Sequence, residues 1–197
     1  SSSENEYPGL YDQSILLEQS FGLNSGWQDA RGASGGTSAI KDFYAPATES
    51  LPTPERKFIR NIDESCFVDR VVLFDTGIAR SATRGLNEVL DAYLTRDTIR
   101  YLGISASLEI HDKMVNALQL GDYTELGILA TKYWGFRCLL DPGATNKVLQ
   151  YLFESPEIRA LSDGGLLTGA GGGGFALIIA RSGCSIQLRE VLNSLKK

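Results

Sequence analysis

The chain has 197 residues, of which 43% are hydrophobic and 22% charged, and it carries a formal charge of -5. This composition excludes a low-hydrophobicity disordered chain and gives no basic run for nucleic acid; it predicts a globular protein with a core of its own. The longest apolar stretches, residues 15–17, 71–74 and 175–180, fall far short of the roughly 20 residues of a membrane helix.

Residues 11–21 predict a helix, with Ile15, Leu16 and Gln19 within a turn of each other and Gly22 as a stop. Residues 24–36 read as a loop punctuated by Gly26, Gly32, Gly35 and Gly36. Residues 39–44 and 57–62 predict a hairpin around the bend Leu-Pro-Thr-Pro at 51–54. A buried strand is expected over 68–75, centred on Val71, Val72, Leu73 and Phe74.

The apolar period then changes to that of a helix. Ala82, Leu86, Val89, Leu90 and Tyr93 mark one helix. Leu108, Met114, Val115, Leu118 and Leu120 mark a second, and Leu126, Leu129, Ala130, Tyr133 and Trp134 a third. Gly121 and Asp122 divide the last pair, and Asp141-Pro142-Gly143 closes the third. Asn146 is placed to cap a fourth helix through Phe153. Two strands, 165–168 and 175–180, flank a glycine run, and residues 186–195 predict a final amphipathic helix. The order implies an α+β fold with helices on one side of a mostly antiparallel sheet.

Three cysteines, Cys66, Cys138 and Cys184, are widely spaced and odd in number. They suit a reducing cytosol and read as small buried hydrophobes, not a disulfide framework or structural zinc site. Residues 1–6 are polar with no apolar signal-peptide core, so a cytoplasmic protein is expected. The lone histidine, His111, lies in a helix beside Asp112 and Lys113 and reads as a solvated surface residue.

Two stretches carry chemistry. Residues 168–175 read Thr-Gly-Ala-Gly-Gly-Gly-Gly-Phe, with Gly169, Gly171, Gly172, Gly173 and Gly174 between two apolar strands. Glycine costs chain entropy and packs nothing, so this density needs a reason. One reason is backbone N–H groups brought close to phosphate; the other is a tight or bulged turn. The run has no Gly-Lys-Ser/Thr and no directly following helix, so it is neither a Walker loop nor a dinucleotide fingerprint. The second stretch, residues 25–32, reads Ser-Gly-Trp-Gln-Asp-Ala-Arg-Gly. Asp29 is a candidate base toward a sugar hydroxyl, Trp27 a stacking wall, and Arg31 a partner for Asp29 or a phosphate. The competing reading of Asp29 is a turn aspartate bonded to its own backbone. Glu18 lies eleven positions before Asp29, and phosphoryl transfer commonly assigns one carboxylate to metal and another to the acceptor.

Together these segments resemble the L-fucokinases, including the kinase part of the fucokinase/GDP-fucose pyrophosphorylases, in the galactokinase/homoserine kinase/mevalonate kinase/phosphomevalonate kinase (GHMP) superfamily. Leu17-Glu18-Gln19 and Gly26-Trp27-Gln28-Asp29 resemble that family's Leu-Glu-Gln segment and Gly-Trp-Gln-Asp loop. The run Phe-Asp-Thr-Gly-Ile-Ala-Arg at 74–80 resembles its Thr-Gly-x-x-Arg strand end. Tyr133, Trp134, Arg137, Leu139, Asp141 and Pro142 resemble its Trp-x-x-Lys/Arg-x-Leu-x-Pro segment, and the glycine run resembles the superfamily's third motif.

The resemblance implies a GHMP-kinase-like fold and ATP-dependent, Mg2+-assisted phosphorylation of the anomeric hydroxyl of L-fucose or D-arabinose. It implies Asp29 as the catalytic carboxylate, Gly26, Trp27, Gln28 and Arg31 around the sugar, Glu18 on the metal, and Gly169, Gly171, Gly172 and Gly173 in support of the phosphates. Residues 1–62 would end the amino-terminal lobe and 63–197 would form the carboxy-terminal domain. The family's first two motifs, including its main phosphate loop, are not in this sequence, so the other half of the same enzyme is the expected partner. Ala30 replaces the family's glutamine, and Asn24-Ser25 replaces two glycines. These departures keep two alternatives in view: a heptose-phosphate kinase of the same superfamily and an inactive GHMP-fold binding module.

Overall fold

The computed structural model describes residues 13, 16–18, 20–21, 40–44, 55–59, 62–79 and 82–195. The chain divides into two compact units, Ser1–Arg60 and Asn61–Lys197.

In the first unit, Gln13, Leu16, Leu17, Glu18 and Ser20 are helical and Phe21 begins a turn, as the apolar spacing predicts. Strands β1 (Ile40–Tyr44) and β2 (Glu55–Ile59) pair antiparallel, Ile40 opposite Ile59 and Tyr44 opposite Glu55. The hairpin is the expected one, with its second strand starting two residues earlier than the sequence suggests.

The second unit opens on a difference. Residues 68–70 were expected in a strand, but they end helix α1 (Glu64–Arg70), and β3 spans only Val71–Asp75. The reason is a local cap: the Asp63 carboxylate accepts from the Ser65 and Cys66 N–H groups at 2.9 and 3.1 Å, starting a helix that the apolar pattern alone does not reveal.

Three helices follow: α2 (Ala82–Leu94), α3 (Thr98–Leu120) and α4 (Tyr123–Leu140). Gly121, at φ 69, ends α3 in the left-handed conformation, and Asp122 caps α4 by accepting from the Glu125 N–H. A 3-10 turn (Pro142–Ala144) leads to α5 (Lys147–Glu154), capped by Asn146 as expected, and then to the short α6 (Pro156–Leu161). Strands β4 (Ser162–Leu167) and β5 (Phe175–Ala180) enclose the glycine run, and α7 (Ser185–Ser194) closes the order.

The sheet order is β3-β5-β4, antiparallel throughout. Alternation along the strands sends side chains into two clusters. Val72, Phe74, Leu167, Ala176, Ile178 and Ala180 meet Leu149, Leu152, Ile158, Leu188 and Leu192 from α5, α6 and α7. Ile179, with Val71 and Leu177, meets Ala117, Tyr123, Leu126 and Leu129 from α3 and α4. The α+β class with a small antiparallel sheet is as expected. The expectation of helices on one side is refined, because both faces of these strands are apolar and each takes helices.

Helix α4 also covers the outer edge of β4. A Cβ on Gly127 would lie 2.8 Å from Asp163, and one on Gly164 would lie 2.2 Å from the Gly127 carbonyl oxygen. The Gly165 N–H donates to Thr131 Oγ1 on the helix at 3.1 Å. Two glycines thus let helix and strand backbones touch, and a side chain replaces the missing strand partner.

Candidate functional site at the glycine turn

The glycine run forms the β4–β5 turn at one end of the sheet. Gly169, Gly171, Gly172 and Gly174 have φ of 62, 77, 77 and 72, conformations that side-chain-bearing residues rarely adopt. Gly173 is held by contact instead, since a Cβ there would lie 2.2 Å from the Ile78 carbonyl oxygen. Gly171 is constrained twice, because its Cβ would also sit 2.8 Å from Trp134 Cη2. Every glycine of the run therefore has a reason inside the protein.

Two segments far from it in sequence, the β3 exit and the end of α4 with its following 3-10 turn, meet this turn. From the exit of β3, the Thr76 N–H and hydroxyl both donate to the Gly174 carbonyl, at 2.9 and 2.7 Å. The Gly174 N–H in turn donates to the Ile78 carbonyl at 2.8 Å. From the 3-10 turn after α4, the Ala144 carbonyl accepts from the Gly172 N–H. From α4 itself, Arg137 Nη2 approaches the Gly169 carbonyl at 3.5 Å, while Trp134 is buried under Gly171 against Phe153, ring centroids 6.1 Å apart. Asp141 is buried and shapes the 3-10 turn, its carboxylate accepting from the Gly143 N–H at 2.8 Å.

These bonds divide the turn. The Gly171 N–H donates to the Thr168 carbonyl at 3.4 Å, so the N–H groups of Gly171, Gly172 and Gly174 are all engaged within the protein. The N–H groups of Gly169, which is exposed, Ala170, which is half-buried, and Gly173, which is buried, donate to no carbonyl among the described residues. Gly173 is buried, so an anion at this turn would meet Gly169 and Ala170 in its first half and the Arg137 guanidinium beside them.

The other expected site residues divide by place. Glu18 is helical and half-buried in the first unit. Gly26, Trp27, Gln28, Asp29 and Arg31 lie outside the described residues. His111 is exposed on α3, as its charged neighbours predict. All three cysteines are free thiols; Cys66 and Cys138 pack against the two apolar clusters, and burial pushes the Cys138 thiol up. Sequence reasoning gives no role to Ala144, nor to Ile78 beyond its place in the run 74–80, because both act here through backbone carbonyls and so leave no residue-type signal. It quoted Thr76 only as part of a motif; its hydroxyl directly after a buried strand was the available clue.

The turn and the two segments that converge on it, residues 74–80 and 133–142, are among the stretches that resemble a kinase family in the sequence. The chain is 31% identical over 168 residues to the bifunctional fucokinase/GDP-fucose pyrophosphorylase of Arabidopsis thaliana, covering 85% of this chain. It is 26% identical over 190 residues to the L-fucokinase/L-fucose-1-P guanylyltransferase of Bacteroides fragilis, covering 93%. The chain has a GHMP-kinase-like fold, and over most of its length its sequence is similar to these two fucokinase-bearing enzymes. Its fold superposes on a crystal structure of L. major mevalonate kinase in complex with R-mevalonate, with a TM-score of 0.65 at 19% identity over 95% of this chain and 60% of that one. It also matches Lactococcus lactis galactokinase complexed with galactose, with a TM-score of 0.52 at 16% identity over 92% of this chain and 58% of that one. No protein-family model matches this chain. It spans only 16% and 19% of the lengths of the two curated relatives. Among the described residues, no helix is long and apolar enough to cross a membrane.

Proposed function

We propose that this chain is the carboxy-terminal part of an ATP-dependent sugar-1-kinase that phosphorylates the anomeric hydroxyl of L-fucose, with D-arabinose as the other candidate acceptor. The carrying observation is similarity to two fucokinase-bearing enzymes over 85% and 93% of the chain. The partner is the amino-terminal half of the same enzyme, bringing the main phosphate loop. Residues 1–62 then complete the amino-terminal lobe, 63–197 make the carboxy-terminal domain, and the whole works in the cytoplasm.

In this reading Asp29 accepts the proton of the anomeric hydroxyl as that oxygen attacks the γ-phosphorus of ATP and ADP leaves in line. Gly26, Trp27, Gln28 and Arg31 orient the sugar. Positioning and charge neutralisation carry such transfers, with little covalent work for the protein. The turn at 169–174 supports the phosphates as a rigid wall, its first-half N–H groups and Arg137 facing negative charge. Mg2+ is held by one or two carboxylates together with phosphate oxygens and water. Glu18, a half-buried helical carboxylate, fits that donor set, although no cluster of three or more His, Cys, Asp or Glu side chains suited to a metal occurs among the described residues. The metal supplies neutralisation of the phosphate oxygens.

The test uses the full-length protein. ADP release is followed with L-fucose, D-arabinose, D-galactose and a heptose phosphate, in the parent and in Asp29→Asn. The expected result is turnover with L-fucose that falls at least about a hundredfold in the variant, the scale of a lost general base. Equal turnover in parent and variant sinks the Asp29 assignment, and preference for heptose phosphate replaces the substrate. Absence of ATP turnover with every sugar favours the inactive binding module, a reading supported by Ala30, Asn24 and Ser25.

A further inference from the structure

The glycine turn poses a physical problem. Four of its residues occupy left-handed φ, and a segment so rich in glycine has more conformations to lose than any other when it is fixed in one. A wall for phosphates has to be rigid before the nucleotide arrives, since ordering it during binding lowers affinity. Something outside the turn must hold it.

Its β4 end is held by the ladder and by Thr168, whose N–H and hydroxyl donate to the Phe175 carbonyl at 2.9 and 3.1 Å. Its middle is held by Ala144 and Trp134. Its last residue, Gly174, has both polar backbone groups satisfied by the three-residue segment from Thr76 to Ile78. Within that segment one hydroxyl works in two directions. Thr76 Oγ1 donates to the Gly174 carbonyl at 2.7 Å and accepts from the Ile78 N–H at 3.3 Å. It therefore curls the β3 exit so that the Ile78 carbonyl faces the Gly174 N–H. Gly77 allows the curl at φ 67, and the Asp75 carboxylate accepts from its N–H at 2.9 Å. Gly173, which has no room for a Cβ against Ile78, is the mark of this contact on the turn side.

We propose that Thr76 is a positioning residue for the nucleotide phosphates: its hydroxyl clasps the β3 exit to Gly174 and fixes the 169–174 turn in its binding geometry. The inference rests on the reading of the turn as phosphate support. Thr76 touches no reacting atom in it; its effect passes through the turn backbone.

The experiment compares Thr76→Val, which keeps the shape and loses the hydroxyl, with Thr76→Ser, which keeps the hydroxyl, in the full-length protein. Thr76→Ala serves if the valine variant does not melt cooperatively. Hydrogen exchange is read at the Gly171, Gly172, Gly174 and Ile78 amides without substrate, and KM for ATP and for sugar are measured separately. The expected result in Thr76→Val is exchange at Gly174 and Ile78 faster by about tenfold, and KM for ATP raised by about tenfold, one hydrogen bond's worth. KM for the sugar stays within twofold, taken as roughly the scatter of such assays, and serine restores the parent values. Unchanged exchange overturns the clasp. Faster exchange with an unchanged KM for ATP, or a rise shared equally by ATP and sugar, overturns the positioning role. A parent protein with no kinase activity is a different failure: it removes the phosphate reading and the positioning role with it, while the exchange measurement still reports on the clasp.

Discussion

At the scale of single residues, the glycine turn shows how one composition signal divides into separate physical causes. Conformation demands glycine at 169, 171, 172 and 174, whereas collision demands it at 173. Gly173→Ala directs a methyl at the Ile78 carbonyl, a backbone atom that has little freedom to move. The expected cost is about 1–3 kcal/mol, the range for overpacking a closed site, measured by urea denaturation. Thr145 offers the opposite case. Its hydroxyl is buried with no hydrogen-bond partner among the described residues, and an unsatisfied buried polar group costs stability. Thr145→Val removes the hydroxyl and keeps the shape, so a gain of about 1 kcal/mol is expected, seen as a higher urea midpoint with an unchanged slope. A loss of stability would mean that the hydroxyl has a partner in solution.

Among elements, the far end of the sheet is fixed by charge. The β4–β5 register shifts between Ser162 and Gly164, which leaves Asp163 as the extra residue of a bulge and re-aims its side chain. There it meets Arg70 at the end of α1, Nη2 to Oδ2 at 2.7 Å, with the two side chains only 12% and 13% exposed. Arg70 Nε also donates to the Ala180 carbonyl at 2.6 Å, and the guanidinium stands 5.5 Å from the Tyr123 ring centroid. Thr124 Oγ1 joins the same carboxylate at 3.1 Å. One ion pair thus ties α1, the start of α4 and both strands of the hairpin. Because the pair is largely buried, removing one partner strands the other charge. Asp163→Ala is expected to cost about 3 kcal/mol, and the double variant Arg70→Met with Asp163→Leu less than that, in parallel thermal melts. Equal losses would show that packing, not the stranded charge, sets the effect.

For the whole molecule, both apolar clusters are drawn from residues between Cys66 and Leu192, all inside the second unit. A piece with its own closed core is expected to fold by itself. Residues 61–197 expressed alone should therefore melt in one cooperative transition by circular dichroism; a broad, uncooperative loss of signal would show that the core depends on the first unit. In the proposed reading, kinase activity needs more than the second unit alone, because the candidate acceptor loop falls in the first unit and the glycine turn in the second.

The sequence alone determined the elements whose signals are local. Gly121-Asp122 stopped one helix and began the next, Asn146 capped α5, and apolar runs located β5 and the body of β3, because caps, left-handed turns and strand signals depend on neighbours in the chain. Motif order also pointed to the kinase family before any fold was known. Sequence could not separate α1 from β3, since Val68 and Val71 look alike without the Asp63 cap bonds. Nor could it put helices on both faces of the sheet, because an apolar run does not say which neighbour covers which side. The tertiary structure alone decided what the glycine run is for within the fold. Its partners include the carbonyls of Ile78 and Ala144 and the N–H and hydroxyl of Thr76. Backbone carbonyls are common to every residue, so contacts made through them become visible only when distant segments are brought together in space.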